Sequence, residues 1–525
     1  MRLSVLSATL LFALGLLVLV LLRPLMPIDE TRYVAAAWEM HQGGSLFVPH
    51  LNGELYGHKP PLLFWLINLV WLFTGPSGLA ARLVAPAFAV GGVALTGLLA
   101  RRLWPGEPER AGIAALILAC SPVFLFFGST TMFDTILAVS TLLAMLALWQ
   151  AAQEPDLAGG TASGRRSWLL LGAAIALGVY GKGPVIFLHV LPVALTMPLW
   201  APAPRAPVSK WFRGLALALG VAIVLVALWL LPALVIGGEP YQIEVLWRQS
   251  AGRMASSFAH QRPVWFYLAL LPMLIWPFGW TRSGLGALAP RALAARPETR
   301  FLTIWFLGAL IAFSAISGKQ THYLLPEIPA LALLLARGPA QRQWTSRDLW
   351  LALPLAGLAL GLVAAGLRLV PALEALDFRQ PLWAAALGLL CLGAGIWGFL
   401  RLRSGLIGLG ALALSFVIAL HLAASPLLFA RYDLTPLGAA LAPYRDAGIA
   451  ITDGTYHAQL NFAARLDHPV ARPTTPEAVA DWAASHPGGV LLDLSGAQIA
   501  GLHPVARLPY RSDTYTLFQP NEVTP

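Results

Sequence analysis

Apolar runs long enough to cross a hydrocarbon core, about 20 residues each, recur along most of the chain, with short polar clusters between them. The pattern places spans near residues 4–22, 79–100, 111–127, 132–152, 168–181, 184–200, 214–236, 264–281, 301–316, 322–337, 349–371, 382–400 and 404–424. Residues 4–22 follow Arg2 like a signal peptide, but the run is longer than a usual h-region and no A-x-A-like site follows it. It reads as a retained first span. Leu62–Thr74 (LLFWLINLVWLFT) is apolar but too short for an ordinary span, and reads as an interfacial or re-entrant helix. That leaves thirteen spans. The loops with Arg101/Arg102/Arg110, Arg165/Arg166, Arg205/Lys210/Arg213, Arg282/Arg291/Arg296/Arg300, Arg342/Arg347 and Arg401/Arg403 then all share the side of Arg2. By the positive-inside rule that side is the cytoplasm.

Two stretches break the apolar pattern. TRYVAAAWEMHQGG has the period of an amphipathic helix. After about residue 425, GIAITDGTYHAQLNF, GGVLLDL and SDTYTLFQP look like strands, and TPEAVADWAASH looks like a short capped helix. The expected architecture is an all-α polytopic membrane protein, residues 1–428, carrying a small α/β domain, residues 429–525, on the outer face. The first loop, 23–78, belongs to the membrane part.

Composition sharpens this picture. With 58% hydrophobic and 11% charged residues among 525, the chain is not a soluble protein. The net charge of +10 comes from arginine in one set of loops and is no nucleic-acid signature. Cys120 and Cys391 each fall inside a span and support neither a disulfide framework nor a metal site. Only four of the 35 cationic residues are lysine: Lys59, Lys182, Lys210 and Lys319. In so arginine-rich a background, a surviving lysine marks a candidate site for a compact ammonium rather than a planar guanidinium.

Three of those lysines lie on the outer side, with the other candidate chemistry. Asp29-Glu30 follows the first span directly. The pair reads either as a cap on the amphipathic helix or as working carboxylates, since charge at the membrane edge is costly unless it pairs or works. Asp134 opens an apolar span, as a cap or as a paired functional group. In LYGHKPPLLFW, Pro60 and Pro61 suit the first turn of a helix and put Lys59 at its entrance, as a snorkelling anchor or as a wall of a site. Lys182, in YGKGP, stands at a small-residue break that brings backbone near a ligand and presents an ammonium to an anion. It too has the anchor reading. SGKQTHYLLP adds Lys319, His322 and Tyr323, and the 237–263 loop adds Glu244, Arg248, Arg253 and His260. Together they give one face cations suited to a phosphate and carboxylates suited to act as a base.

These stretches carry a resemblance. IDETRYVAAAWEM, LNGELYGHKPPLLFWL and ARLVAP, followed by FDTIL, YGKGP, AHQRPVWFY and SGKQTHYLLPEIPAL in the same order, resemble the bacterial membrane glycosyltransferases related to aminoarabinose transferase. The protein O-mannosyltransferases, also of the GT-C class, are a more distant likeness. The resemblance covers roughly residues 25–340 and implies an inverting transfer from a polyprenyl-phosphate sugar to a lipid or glycan acceptor. It implies the periplasmic face of a bacterial inner membrane as the place of reaction. Asp29 would match the catalytic carboxylate and Lys59 the lysine of the first loop. Lys182 and Arg253, with Arg248 as the alternative, would be phosphate-binding cations, and Tyr323 a site tyrosine. Asp134 is the second catalytic candidate, and Glu30 and Lys319 complete the substrate-binding set. Where these relatives carry a Glu expected to help hold a divalent metal, this chain has His58. A metal held by His58 and His260 is one outcome, its absence the other, and the change leaves lipid A open as acceptor. A transporter or lipid flippase is the rival reading, since intramembrane charges and broken helices also mark transporters. No paired half-repeats are visible, and the charges gather at one membrane edge rather than the midplane.

Overall fold

The computed structural model describes residues 4–154, 162–203, 207–252, 261–338, 346–367, 369, 381–402, 405–452, 454, 456–494, 498–511 and 513–520. The first nine helices build the region around the candidate site. Helix α1 (Val5–Leu21) starts from a capping box between Ser4 and Ser7 and ends where apolar sequence gives way to Arg23. The amphipathic helix is α2 (Asp29–His41). Pro60 and Pro61 do lead into α3 (Leu62–Thr74), with Pro61 at its cap. One face of α3, Leu63, Phe64, Ile67 and Trp71, packs with Tyr33, Val34 and Ala37 of α2. Leu72 and Phe73 on its other face are bare, as suits a helix lying in an apolar boundary.

Helix α4 (Gly78–Leu103) is a full-length span. Helices α5 (Glu109–Ala119) and α6 (Pro122–Gly128) meet at 65°. There Pro122 cannot continue the preceding hydrogen-bond ladder and the Ser121 hydroxyl caps the new helix. Helix α7 (Asp134–Gln153) is buried along most of its length, with α8 (Ala162–Lys182) and α4 packed against it. After α8 the chain turns back at Gly183, where φ is +74°, into α9 (Ile186–Leu195). A Cβ on Gly178 would lie 2.6 Å from Ile186 Cγ1, whereas residues eight apart in a straight helix are separated by roughly 12 Å.

Seven described helical segments are long and apolar enough to cross a membrane, with the broken α8–α9 stretch (Arg165–Leu195) counted as one, and eight if α5 and α6 count as one span. Shorter apolar helices accompany them, among them α1, α3 and Phe266–Ile275. Leu6, Leu10 and Leu14 of α1 and Ile223, Leu228 and Val235 of the Val208–Gln242 helix are exposed. Such stripes suit hydrocarbon as solvent. The chain is a multi-pass membrane protein with a small sheet at its C-terminal end.

In the first loop, His50–Leu51 (β1) and Glu54–Leu55 (β2) form a two-stranded ribbon. The C-terminal sheet holds β3 (Ile449–Ile451), β4 (Val490–Asp493), β5 (Leu502–Tyr510) and β6 (Asp513–Pro520) in the order β3-β4-β6-β5. β3 and β4 are parallel, joined through the Pro476–Ser485 helix, and the other two pairs are antiparallel. Two expectations change here. Among the described residues of GIAITDGTYHAQLNF, Ile449–Ile451 alone are strand. The nine-residue β5, which contains Pro504 and Pro509, was not foreseen. At the sheet edge their missing donors cost nothing, and a bulge between Pro504 and Ala506 absorbs the misfit.

The first loop and the sheet unit are tied together. The Trp38 indole donates to the Leu466 carbonyl at 2.7 Å. The Asn52 amide exchanges bonds with the backbone of Val470 at 3.0 and 2.8 Å, and Arg472 pairs with Glu54. Ala35 of α2 packs into the apolar core of the sheet unit.

Candidate active site

Asp29 is the first residue of α2. It is not its cap: Ile28 holds that place and makes no side-chain cap bond. The Asp29 carboxylate instead pairs with Arg32 one turn on and accepts from the Tyr33 hydroxyl at 3.2 Å, staying 46% exposed. Burial first, and the Asp29 charge next, push the Tyr33 phenol well above its ordinary range, so it remains a proton donor to Asp29. Glu30, its neighbour, is 3% exposed. It pairs with Arg23 and accepts from the backbone N–H of Met26 at 3.1 Å and of Thr131 at 3.0 Å. Glu30, expected to bind substrate, is therefore fully engaged in joining the end of α1 to the turn before α7.

That turn presents Asp134. Its carboxylate is 3% exposed and accepts from the Lys182 ammonium at 2.5 Å. The Gly183 reversal carries Lys182 there. Lys182 also stands 4.9 Å from the centroid of the Tyr323 ring, so Asp134, Lys182 and Tyr323 meet from three separate elements. Lys59 lies 5.8 Å from the ring centroids of both Tyr33 and Phe133. It points between α2 and the turn before Asp134, not outward as a headgroup anchor would. Asp29, Lys59, Asp134 and Lys182 all act electrostatically on His322, which makes them one neighbourhood.

The remaining candidates fall elsewhere. Lys319, expected in the substrate set, is 3% exposed and donates to the carbonyls of Arg262 (3.1 Å) and Ile316. It fastens the 261–262 segment, bridged Gln261 to Gly318. His58 faces Glu244 at 3.5 Å, and Arg248 lies 3.6 Å from the same carboxylate with a 72% exposed side chain. The approach needs Gly57, since a Cβ there would lie 2.7 Å from Glu244 Cγ. Arg253 and His260 lie outside the described residues. For a divalent metal, His58 and Glu244 supply two donors, and no group of three or more His, Cys, Asp or Glu gathers among the described residues. Among the described residues His58 and Glu244 alone do not complete a metal site, and His260, the other expected ligand, lies outside them.

Two structural supports were not read from the sequence. Arg82 donates to the carbonyls of Val20 and Arg23, closing the last turn of α1. His189 and Glu327, both fully buried, meet at 2.6 Å and lock α9 to the segment after Tyr323. A lone His and a lone Glu in apolar runs, 138 residues apart, carry no spacing signal. Only the cost of burying each alone could have hinted that they pair.

Residues 1–204 match the dolichyl-phosphate-mannose-protein mannosyltransferase family. An undecaprenyl phosphate-alpha-4-amino-4-deoxy-L-arabinose arabinosyl transferase of Pseudomonas paraeruginosa is 32% identical over 367 residues, 68% of this chain and 62% of that protein. The corresponding transferase 1 of Sodalis glossinidius is 35% identical over 322 residues, 59% and 54% of the two. The matched region thus spans less than two thirds of the length of these relatives. The crystal structure of ArnT from Cupriavidus metallidurans bound to undecaprenyl phosphate superposes with a TM-score of 0.76 at 18% identity, over 98% of this chain and 97% of that one. The chain resembles the aminoarabinose transferases in sequence and shares the fold of one. The resemblance read from the first loop holds, and the aminoarabinose-transferase-like fold extends through the C-terminal sheet. A more distant fold likeness, TM-score 0.53 at 16% identity, is to the oligosaccharyltransferase of Archaeoglobus fulgidus, over 94% of this chain and 69% of that one.

Proposed function

We propose that this chain is an inverting glycosyltransferase that moves a sugar from a polyprenyl-phosphate donor to a lipid or glycan acceptor at the periplasmic face of a bacterial inner membrane. Lipid A is the acceptor to try first, because the arabinosyl transferases it resembles set the class of substrate. Thirteen spans, with the first loop and the C-terminal unit outside, form the topology of this reading. The observation that carries it is the gathering of one accessible carboxylate, Asp29, with two ammonium groups, Lys59 and Lys182, at the mouth of a helix bundle.

The division of labour follows from burial. Asp134 is enclosed and committed to Lys182, so its role is to hold that ammonium. Asp29 keeps an open face. An acceptor hydroxyl attacks the anomeric carbon while the bond from that carbon to the phosphate oxygen breaks. The hydroxyl proton passes to Asp29 and the polyprenyl phosphate departs with the bonding pair. Lys59 and Lys182 offset the charge that grows on the leaving phosphate, at a place where water is scarce and such charges count most. Tyr323, under Lys182, and Tyr33, on Asp29, fix these groups in position. Arg248 and His58, on Glu244, stand at the rim for the donor.

The test uses the purified full chain with a polyprenyl-phosphate aminoarabinose donor and lipid A, read by mass spectrometry of the lipid product. Turnover is expected in the wild type. In Asp29→Asn, which keeps size but accepts no proton, the loss should be of the order of 10²–10⁴-fold with the melting temperature retained. Normal turnover in that variant would remove Asp29 as the base. Failure of the wild type to release polyprenyl phosphate with lipid A or with total envelope glycan would remove the transferase reading.

A further inference from the structure

A cavity of about 530 Å³ opens where three apolar helices end on one side of the molecule. It is bounded by Leu21 and Arg23 after α1, by Leu79 and Arg82 at the start of α4, and by Phe429 and Asp433 after the Gly405–Ala424 helix. Arg465 and Gln459 of the C-terminal unit form its roof. Asp29, Lys59, Asp134 and Lys182 are not in its lining, so it is not the transfer site. Its volume falls within the roughly 300–1,000 Å³ of ordinary small-molecule sites.

The charge in this cavity is poorly balanced. Three guanidinium groups line it, and Asp433 is the acidic residue among the lining. Arg23 has the Glu30 carboxylate. Arg82 is spent on backbone carbonyls. Arg465 donates to the carbonyls of Phe462 and Pro76 and lies 3.7 Å from the centroid of the Phe462 ring. The Arg23 side chain is 4% exposed, while Arg82 and Arg465 are half-buried. Guanidinium forks match phosphate oxygens. Below the cavity, Leu14, Leu17 and Leu21 of α1 and Leu79 and Leu83 of α4 are exposed. They continue its apolar side along the spans.

We infer that this cavity binds the phosphodiester headgroup of an anionic membrane phospholipid, whose acyl chains lie along α1 and α4. A free inorganic anion would use the arginines and leave the apolar side idle. A zwitterionic lipid would bring its own cation against three guanidiniums. The site is also mechanically connected. Arg23 holds Glu30, and Glu30 holds the Thr131 N–H three residues before Asp134, so a headgroup on Arg23 braces the turn that presents the Asp134–Lys182 pair.

The experiment is native mass spectrometry of the full chain released from micelles containing equal amounts of phosphatidylglycerol and phosphatidylcholine with the same acyl chains. The wild type should retain phosphatidylglycerol preferentially. Arg465→Gln and Arg82→Gln should each lower that preference by about fivefold, the factor expected for one arginine at an anionic lipid surface. Ala430→Trp, which leaves every arginine in place and fills the cavity from its lining, should lower it as much and covers the case in which Arg82→Gln does not fold. Equal retention of the two lipids by the wild type would overturn the inference. So would a preference unchanged in both Arg465→Gln and Ala430→Trp, which would put the lipid elsewhere. Displacement of the lipid by millimolar inorganic phosphate would make it a free-anion site and overturn it as well.

Discussion

At the scale of single residues, Lys59 decides between a lipid anchor and a working cation. Its ammonium sits between the rings of Tyr33 and Phe133, where the bulkier guanidinium would have to shift its charge by an ångström or more. Lys59→Arg should therefore lower turnover by about a hundredfold with little change in melting temperature. An anchor would tolerate the change, since arginine snorkels as well, so near-normal turnover would return Lys59 to the membrane surface. The scarcity of lysine in the sequence drew attention to three outer-side positions. The structure keeps Lys59 and Lys182 beside carboxylates and aromatic rings, and gives Lys319 to backbone carbonyls. That difference was not legible, because a lysine that ends a helix and a lysine that faces a phosphate look alike until their acceptors are known. Asp29 and Glu30 show the same limit. They are adjacent in sequence, but one helical step of about 100° turns one to the open side and the other into the interior against Arg23.

At the scale of elements, apolar run length and proline placement carried most of the fold. Pro60 and Pro61 lead into α3, and α3 packs on α2 as a short helix with one bare face. The reversal at Lys182-Gly183 was legible as a small-residue break, and what it does is now explicit: it turns α8 back into α9 and delivers Lys182 to Asp134. The φ of +74° at Gly183 is a conformation that L side chains rarely adopt, while a Cβ there would meet nothing within 4 Å. A substitution at this position therefore tests backbone alone. Gly183→Ala should cost about 1–2 kcal/mol, seen as a lower melting temperature, and should reduce turnover by displacing Lys182. Gly183→Asn should fall between Ala and wild type, because asparagine tolerates positive φ better. Equal behaviour of Ala and wild type would show that Lys182 does not depend on this turn. The failure at β5 has a different origin. A proline is disruptive inside a sheet and harmless at its edge, and which strand lies at the edge is a fact of topology that no local pattern contains.

At the scale of the whole molecule, the proposed sidedness rests on the contacts of the first loop and on helix α4. Trp38 to Leu466, Asn52 to Val470 and Arg472 to Glu54 bind the first loop to the C-terminal unit, so the two share one side. Helix α4 leaves that side at Gly78 and carries 26 residues to Arg101, Arg102 and Leu103. At 1.5 Å per residue that is about 39 Å, more than the roughly 30 Å of a hydrocarbon core. On the proposed topology the arginines then lie on the opposite side. The two native cysteines are buried, which leaves the surface clear for labelling. In spheroplasts, a membrane-impermeant maleimide should label Glu477→Cys, at the exposed start of the C-terminal helix, and should reach Arg101→Cys only after lysis. The reverse pattern would invert the molecule and place the Asp29–Lys59 mouth in the cytoplasm, away from a periplasmic acceptor. Labelling of both before lysis would mean that α4 does not cross, and the reading of α3 as a helix that stays on one side would fall with it.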